Sequence, residues 1–171
     1  MREQFFLDWF SKTGYQVCRG GKETTEIIGF CMSLWRQEID EVFNARICDN
    51  YEYILYYRMY ESQKDSLVTE FRKNPFSRRL FIQFSRDFHY KENGDMMPCI
   101  ASIQILFVSS ETFNVVANLR SSDVTRLHND IMIIAFLCRD FMTSIGRTIY
   151  NVDQFFIQFG SLHQYVKGDE K

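Results

Sequence analysis

The stretch Asn118–Ile131, NLRSSDVTRLHNDI, leaves an apolar segment, sets Arg120, Ser121, Ser122 and Asp123 in a row, and leads straight into IMIIAFLC. Polar side chains at a strand-to-helix junction are where α/β and α+β proteins hold anions, because the helix end offers free backbone N–H groups beside them. Downstream, in NDIMIIAFLCRDFMTSI, the residues Ile131, Ile134, Ala135, Cys138, Phe141 and Met142 recur every three or four positions, the pattern of a buried helix. Upstream, residues 101–108 and 112–119 read as strands joined by SSET as a hairpin, and about 79–86 reads as another strand. Residues 61–73 read as a helix that closes at KNP, since Pro75 disfavours helical geometry at Asn74. Nearer the start, residues 3–12 place Phe5, Phe6, Trp9 and Phe10 at helical spacing, with Gly14 as the stop. VCRGGKETTE then reads as a Gly-containing loop and IIGFCMSLW as the run that begins the sheet, while residues 36–50 show no firm period. TIYNVDQFFIQFG is a closing strand that leads to SLHQY. These elements predict an α+β fold.

The 171 residues fit one domain spanning 1–171, and a 46% hydrophobic content with seventeen Phe and nine Tyr is ample for its core. Twenty Lys and Arg against 22 Asp and Glu give a net charge of −2, so no global basic field holds a nucleic-acid backbone. A small anionic ligand is not disfavoured. The five cysteines (Cys18, Cys31, Cys48, Cys99, Cys138) form no C-x-x-C pair and are odd in number, which points to neither a metal site nor a disulfide framework. A reducing cytoplasm is the expected setting. MREQFFLDWF lacks the basic and apolar regions of a signal peptide, and no run approaches the length of a membrane span, so a soluble, unprocessed chain is expected.

Three constellations carry chemistry. In MMPCIASIQILF, Cys99 follows a proline at the lip of a strand; its thiolate could attack an electrophilic carbon, or the residue could be one more packed cysteine. In NPFSRRLFIQF, Arg78 and Arg79 open a strand, where they either bind an anion or form a solvated surface. In GSLHQY, His163 and Tyr165 share one side of a strand end, able to hold a sugar hydroxyl or to fill a polar corner of the core.

Taken together, SRR, then PC-x-x-x-x-Q, then RSSD, then H-x-Y, in this order and at these separations, resemble the thymidylate synthase and pyrimidine-nucleotide hydroxymethylase family. VCRGGKETTEIIGF looks like that family's phosphate loop and first strand, and YYRMYESQKDSLVTEFRKNPFSRR like the stretch before its double arginine; residues 36–50 have no counterpart. The resemblance implies a mixed β-sheet with flanking helices, dimerising through the sheet. It implies a transferase that modifies carbon 5 of a pyrimidine nucleoside monophosphate, with methylene-tetrahydrofolate as donor. Cys99 matches the nucleophile that adds to carbon 6, Arg120 and Ser121 the phosphate pair, and Arg78 and Arg79 the phosphate arginines from the neighbouring subunit. Arg19 looks like a further phosphate arginine, Asp123 matches the folate-facing aspartate, and His163 and Tyr165 match the pair on the ribose hydroxyl.

The loop DVTRLHNDI is one residue shorter than the family form D-V-x-x-G-x-P-x-[ND]-I, so either Asp130 or Asn129 reads the base. Asp130 suits the exocyclic amine of cytosine, and hence hydroxymethylation of CMP or dCMP; Asn129 suits uracil, and hence methylation of dUMP. Both residues also suit a helix N-cap. The chain departs from the pattern elsewhere. Where the family has a long helix with a water-organising glutamate, only Glu38 and Glu41 are near, and TRLHN replaces the loop glycine and proline. The stretch past Tyr165 is too short for the family's closing segment. Two functions therefore stand: a homodimeric transferase, or a non-catalytic nucleotide-binding homologue acting as a sensor, a sequestering protein or a complex subunit.

Overall fold

The computed structural model describes residues 10, 12–19, 22–35, 51–84, 98–147 and 151–165. Among these residues seven strands form one mixed sheet: β1 (Tyr15–Arg19), β2 (Lys22–Ile28), β3 (Cys31–Trp35), β4 (Phe81–Gln83), β5 (Ile100–Phe107), β6 (Thr112–Asp123) and β7 (Asn151–Tyr165). Two long helices, α1 (Tyr51–Lys73) and α2 (Leu127–Ser144), complete the α+β architecture. The strand order is β1-β2-β7-β6-β5-β4, and β3 also pairs with β7. All pairings are antiparallel except β6 with β7. A parallel pair needs a crossover, and α2 provides it.

The core follows from strand alternation. Ile103, Ile105 and Phe107 of β5, Phe113, Val115, Ala117 and Leu119 of β6, and Phe155, Ile157 and Phe159 of β7 are all buried. Against them lie Tyr56, Tyr60, Leu67 and Phe71 of α1, spaced four or seven apart, and Ile134, Leu137, Cys138 and Phe141 of α2. Phe71 is the hub, with ring centroids 5.0 Å from Phe107 and 6.2 Å from Phe141. The helices are tied by Asp140 of α2, whose Oδ2 accepts from the Tyr60 hydroxyl at 2.9 Å and pairs with Lys64 Nζ at 2.7 Å. Residues of the opposite strand faces, among them Phe81 and Phe156, stay exposed.

The expected hairpin of β5 and β6 and the buried helix after RSSD are present, and all six periodic residues from Ile131 to Met142 are buried. Four expectations about the fold need correction. VCRGGKETTE is not a loop: most of it is the β1–β2 hairpin, in register from Tyr15↔Glu26 to Arg19↔Lys22, because its Val and Thr residues favour strands despite the interspersed charges. IIGFCMSLW is accordingly not the start of the sheet but a strand broken at Gly29, where φ is +68°. Gly29 N–H donates to Gly160 O at 3.1 Å and Phe159 N–H to Phe30 O at 2.8 Å, so β2 and β3 run end to end along one edge of β7. The helix expected over 61–73 does stop at Lys73 before Pro75, but it begins at Tyr51, because Tyr56, Met59 and Tyr60 extend the apolar stripe one way.

Arg78 and Arg79 do not open a strand. They lie in a turn, where Arg79 N–H donates to Ser77 Oγ at 3.1 Å, and β4 begins only at Phe81. The strand read over 79–86 is described as far as Phe84, and its last two residues lie outside the described set. So do residues 36–50, with Glu38 and Glu41, and nearly all of the helix read over 3–12, of which Phe10 and Lys12 are described and helical. Among the described residues no helix is long and apolar enough to cross a membrane.

Candidate functional site

At the C-terminal ends of β6 and β7 the strands change chemistry. Register sets Ser121 beside Ser161 and Asp123 beside His163 on the parallel pair. On the other edge of β7, Glu26 of β2 lies opposite His163, and Thr24 opposite Tyr165. The result is a cross-strand row Glu26–His163–Asp123. By the two-residue period of a strand these groups share one side of the sheet, and all of them line a single cavity of about 530 Å³. That volume falls within the range of about 300–1,000 Å³ typical of small-molecule sites.

Cys99 and Arg120 reach the cavity through a backbone contact. A bulge between Ile100 and Ser102 shifts the register of β5 against β6, and Arg120 N–H donates to Cys99 O at 2.8 Å. Bulges commonly re-aim side chains in this way. On the other side of Arg120, β7 approaches so closely that a Cβ on Gly160 would lie 2.7 Å from Arg120 O; only glycine fits there without moving the backbone. The thiol of Cys99 is half-buried and faces the cavity, whereas Cys138 is fully buried in α2, where burial pushes its thiol well above the ordinary range. The two cysteines divide the alternatives between them: Cys138 packs, and Cys99 is presented.

Beyond β6, Asp123 caps the turn of Val124–Arg126, its Oδ1 accepting from Thr125 N–H and Oγ1, each at 2.8 Å. Helix α2 begins at Leu127, so Asn129 and Asp130 lie in its first turn and neither is an N-cap. They point differently. Asp130 is 7% exposed, lines the cavity and accepts from the Ser122 hydroxyl at 2.6 Å; Asn129 is exposed and outside the cavity. A carboxylate in the first turn is also favoured by the helix dipole.

Of the residues singled out from sequence, Cys99, Arg120, Ser121, Asp123, Asp130, His163 and Tyr165 thus converge on one cavity. His163 and Tyr165 stack edge to face with ring centroids 5.3 Å apart. Arg78, Arg79 and Asn129 do not line it, and Arg78 is placed instead by Gln104, whose amide donates to its carbonyl at 2.8 Å. Arg19 ends β1, and its side chain lies outside the described set.

Several cavity residues were missed. Arg126 adds a second guanidinium, from the loop that lacks the expected glycine and proline, and that substitution was the available signal. Glu26 is 3% exposed on the cavity wall, and nothing in KETTEII distinguishes it from Glu23, which is exposed. Tyr56 stands behind Cys99: its hydroxyl accepts from Ile100 N–H at 2.9 Å, fixing the adjoining backbone. Burial pushes the Tyr56 phenol well above its ordinary value, and the nearby Cys99 and Asp130 add to the shift, so it remains neutral. Ser161 Oγ is buried on the cavity floor with no hydrogen-bond partner among the described residues. Among the described residues, no group of three or more His, Cys, Asp or Glu side chains is arranged to hold a metal ion.

The cavity is mixed in charge. Arg120 and Arg126 face three carboxylates, Glu26, Asp123 and Asp130, with one imidazole and one phenol between. Such a lining suits a ligand with one anionic group and several hydrogen-bond donors. Comparison of the chain with protein-family models and with curated proteins finds no match to either.

Proposed function

We propose that the cavity binds a pyrimidine nucleoside monophosphate and that Cys99 activates carbon 5 of its base for one-carbon transfer. The observation that carries the reading is the convergence of a presented thiol, a guanidinium with a neighbouring serine, a buried carboxylate and a His/Tyr pair on one cavity, from segments far apart in sequence. Arg120 and Ser121 take the phosphate through charge-assisted hydrogen bonds. His163 and Tyr165 take a ribose hydroxyl. Asp130 accepts from the exocyclic amine of cytosine, which favours hydroxymethylation of CMP or dCMP over methylation of dUMP.

Carbon 5 of a neutral pyrimidine is a weak nucleophile. When the Cys99 thiolate bonds to carbon 6, the electron pair of the 5,6 double bond moves into the ring and makes carbon 5 electron-rich. A proton taken up at carbon 5, loss of the original one and expulsion of the thiolate restore the base. Methylene-tetrahydrofolate supplies the one-carbon unit when bound. Asp123, held in direction by Thr125, is the residue suited to the N–H donors of its pterin.

The dimer belongs to this proposal. Arg78 and Arg79 are exposed on their turn, and the uncovered sheet face bearing Phe81 and Phe156 is where a second copy would bring them to the neighbouring cavity. A second reading, a nucleotide-binding protein without turnover, draws on Arg126, which lines the cavity from a loop that lacks the family's glycine and proline. One assay separates the two. In deuterated buffer with CMP or dCMP, NMR follows loss of the carbon-5 proton. Exchange that disappears in Cys99→Ala supports covalent activation, whereas tight binding without exchange supports the second reading.

A further inference from the structure

We infer that Ser161 is a phosphate ligand of this site, its hydroxyl donating to the same phosphate that Arg120 and Ser121 take. The inference rests on the nucleotide reading above and adds a residue to its phosphate end. Ser161 lines the cavity, and its Oγ is buried there without a hydrogen-bond partner among the described residues. The strand ladder explains why. On one edge of β7 its cross-strand neighbour is Ile28, whose side chain carries no hydrogen-bonding group, and on the other edge it is Ser121.

Position along the strands selects the phosphate among the parts of a nucleotide. Ser121 and Ser161 lie directly opposite each other on the parallel pair, about 4.8 Å apart by strand spacing. The pair Asp123 and His163 lies two residues further along, roughly 6.6 Å away. Ser161 also directly follows Gly160, where β7 closes on β6 so tightly that a Cβ would lie 2.7 Å from Arg120 O. Arg120, Ser121 and Ser161 therefore belong to one level of the cavity, and the sugar pair His163 and Tyr165 begins at the next. A phosphate dianion has only acceptor oxygens, and a serine hydroxyl is a rotatable donor that can meet one. A buried hydroxyl without a partner destabilises the free protein, and a charge-assisted hydrogen bond to the ligand removes that penalty on binding. A residue of this kind weakens the fold for the sake of the ligand, so its two effects can be read separately.

The test compares the full chain with Ser161→Ala by calorimetric titration with CMP and UMP, by NMR titration with inorganic phosphate, and by thermal denaturation without ligand. The substitution is expected to weaken both nucleotides about 10-fold or more, the effect of one hydrogen bond to a charged group. Inorganic phosphate is weakened by a similar factor. The ligand-free variant melts at the same temperature or higher, because the change removes a buried hydroxyl that has no partner among the described residues. A lower melting temperature gives Ser161 a structural role and overturns the inference. Nucleotide binding that survives Ser161→Ala also overturns it. So does a loss confined to the nucleotides, with inorganic phosphate unaffected or unbound, which puts the hydroxyl on the sugar. In these three cases the nucleotide reading stands. Failure of CMP and UMP to bind the wild-type protein overturns the nucleotide reading and this inference with it.

Discussion

The same two strands behave differently along their length. From Phe113 to Leu119 and from Phe155 to Phe159, β6 and β7 alternate cleanly, with one face buried under α1 and α2. From Arg120 to Asp123 and from Ser161 to Tyr165 the ladder continues, but apart from the buried Leu162 the side chains become Arg, Ser, Asp, His, Gln and Tyr. The backbone is common to both regions, and burial does not stop at the boundary, since Ser122 and Leu162 are fully buried and α2 still reaches Ser122 through Asp130; the difference lies in the side chains. Along the first stretch side chains serve packing; along the second the rigid ladder holds chemical groups in fixed register. Stability and binding should therefore be separable by mutation, except where one residue serves both regions.

The largest effect is expected in the covered region. Phe141→Ala removes a fully buried ring that packs on Phe71 and should cost about 3–5 kcal/mol in chemical denaturation. Alkali should weaken the same region. Burial raises the Tyr60 phenol, and secondarily so does its acceptor Asp140; burial likewise raises Tyr56. A raised folded value means the contribution is intact below the ordinary phenol value of 10.0 and declines above it, where the unfolded chain ionises first. Each group then lowers stability by about 1.4 kcal/mol per pH unit, measurable as a falling denaturation midpoint.

Gly160→Ala is the change that should break the separation. Its Cβ would press on Arg120 O at 2.7 Å, forcing β6 and β7 apart where they carry the site. A loss of about 1–3 kcal/mol with a disproportionate loss of nucleotide binding is expected. Tyr56→Phe should cost about 1–3 kcal/mol, because the buried Ile100 N–H loses its acceptor, and should slow carbon-5 exchange more than it weakens binding. The smallest effect is expected at Lys64→Ala, where the partly exposed pair with Asp140 contributes about 1 kcal/mol or less. A larger loss there would show that the helix clamp matters more than its exposure implies.

The covered region was legible from sequence because helix and strand periods leave apolar residues at regular spacing: every buried position read into 131–142 is buried. The junction at RSSD was legible for a related reason, since four polar residues interrupt two apolar runs. What was not legible depended on long-range register. Nothing local tells Glu26 from Glu23, and only pairing with β7 puts one opposite His163 and leaves the other exposed. The turn at Arg78–Arg79 was misread as a strand because Leu80–Phe84 continues the apolar run, while the Ser77 contact that shapes the turn is not visible as a pattern. Gly160 gave no warning either, because its neighbour Arg120 is forty residues away in the chain.

Strand β7 pairs with β2, β3 and β6, and among the described residues no other strand connects the N-terminal hairpin to the β4–β6 sheet. A nascent chain that has not yet added residues 151–165 therefore holds two separate half-sheets, each with an open edge. Pairing over so long a sequence separation is slow and leaves those edges exposed to other chains meanwhile. Refolding from denaturant should accordingly be limited by the docking of this one strand, with yield falling as protein concentration rises.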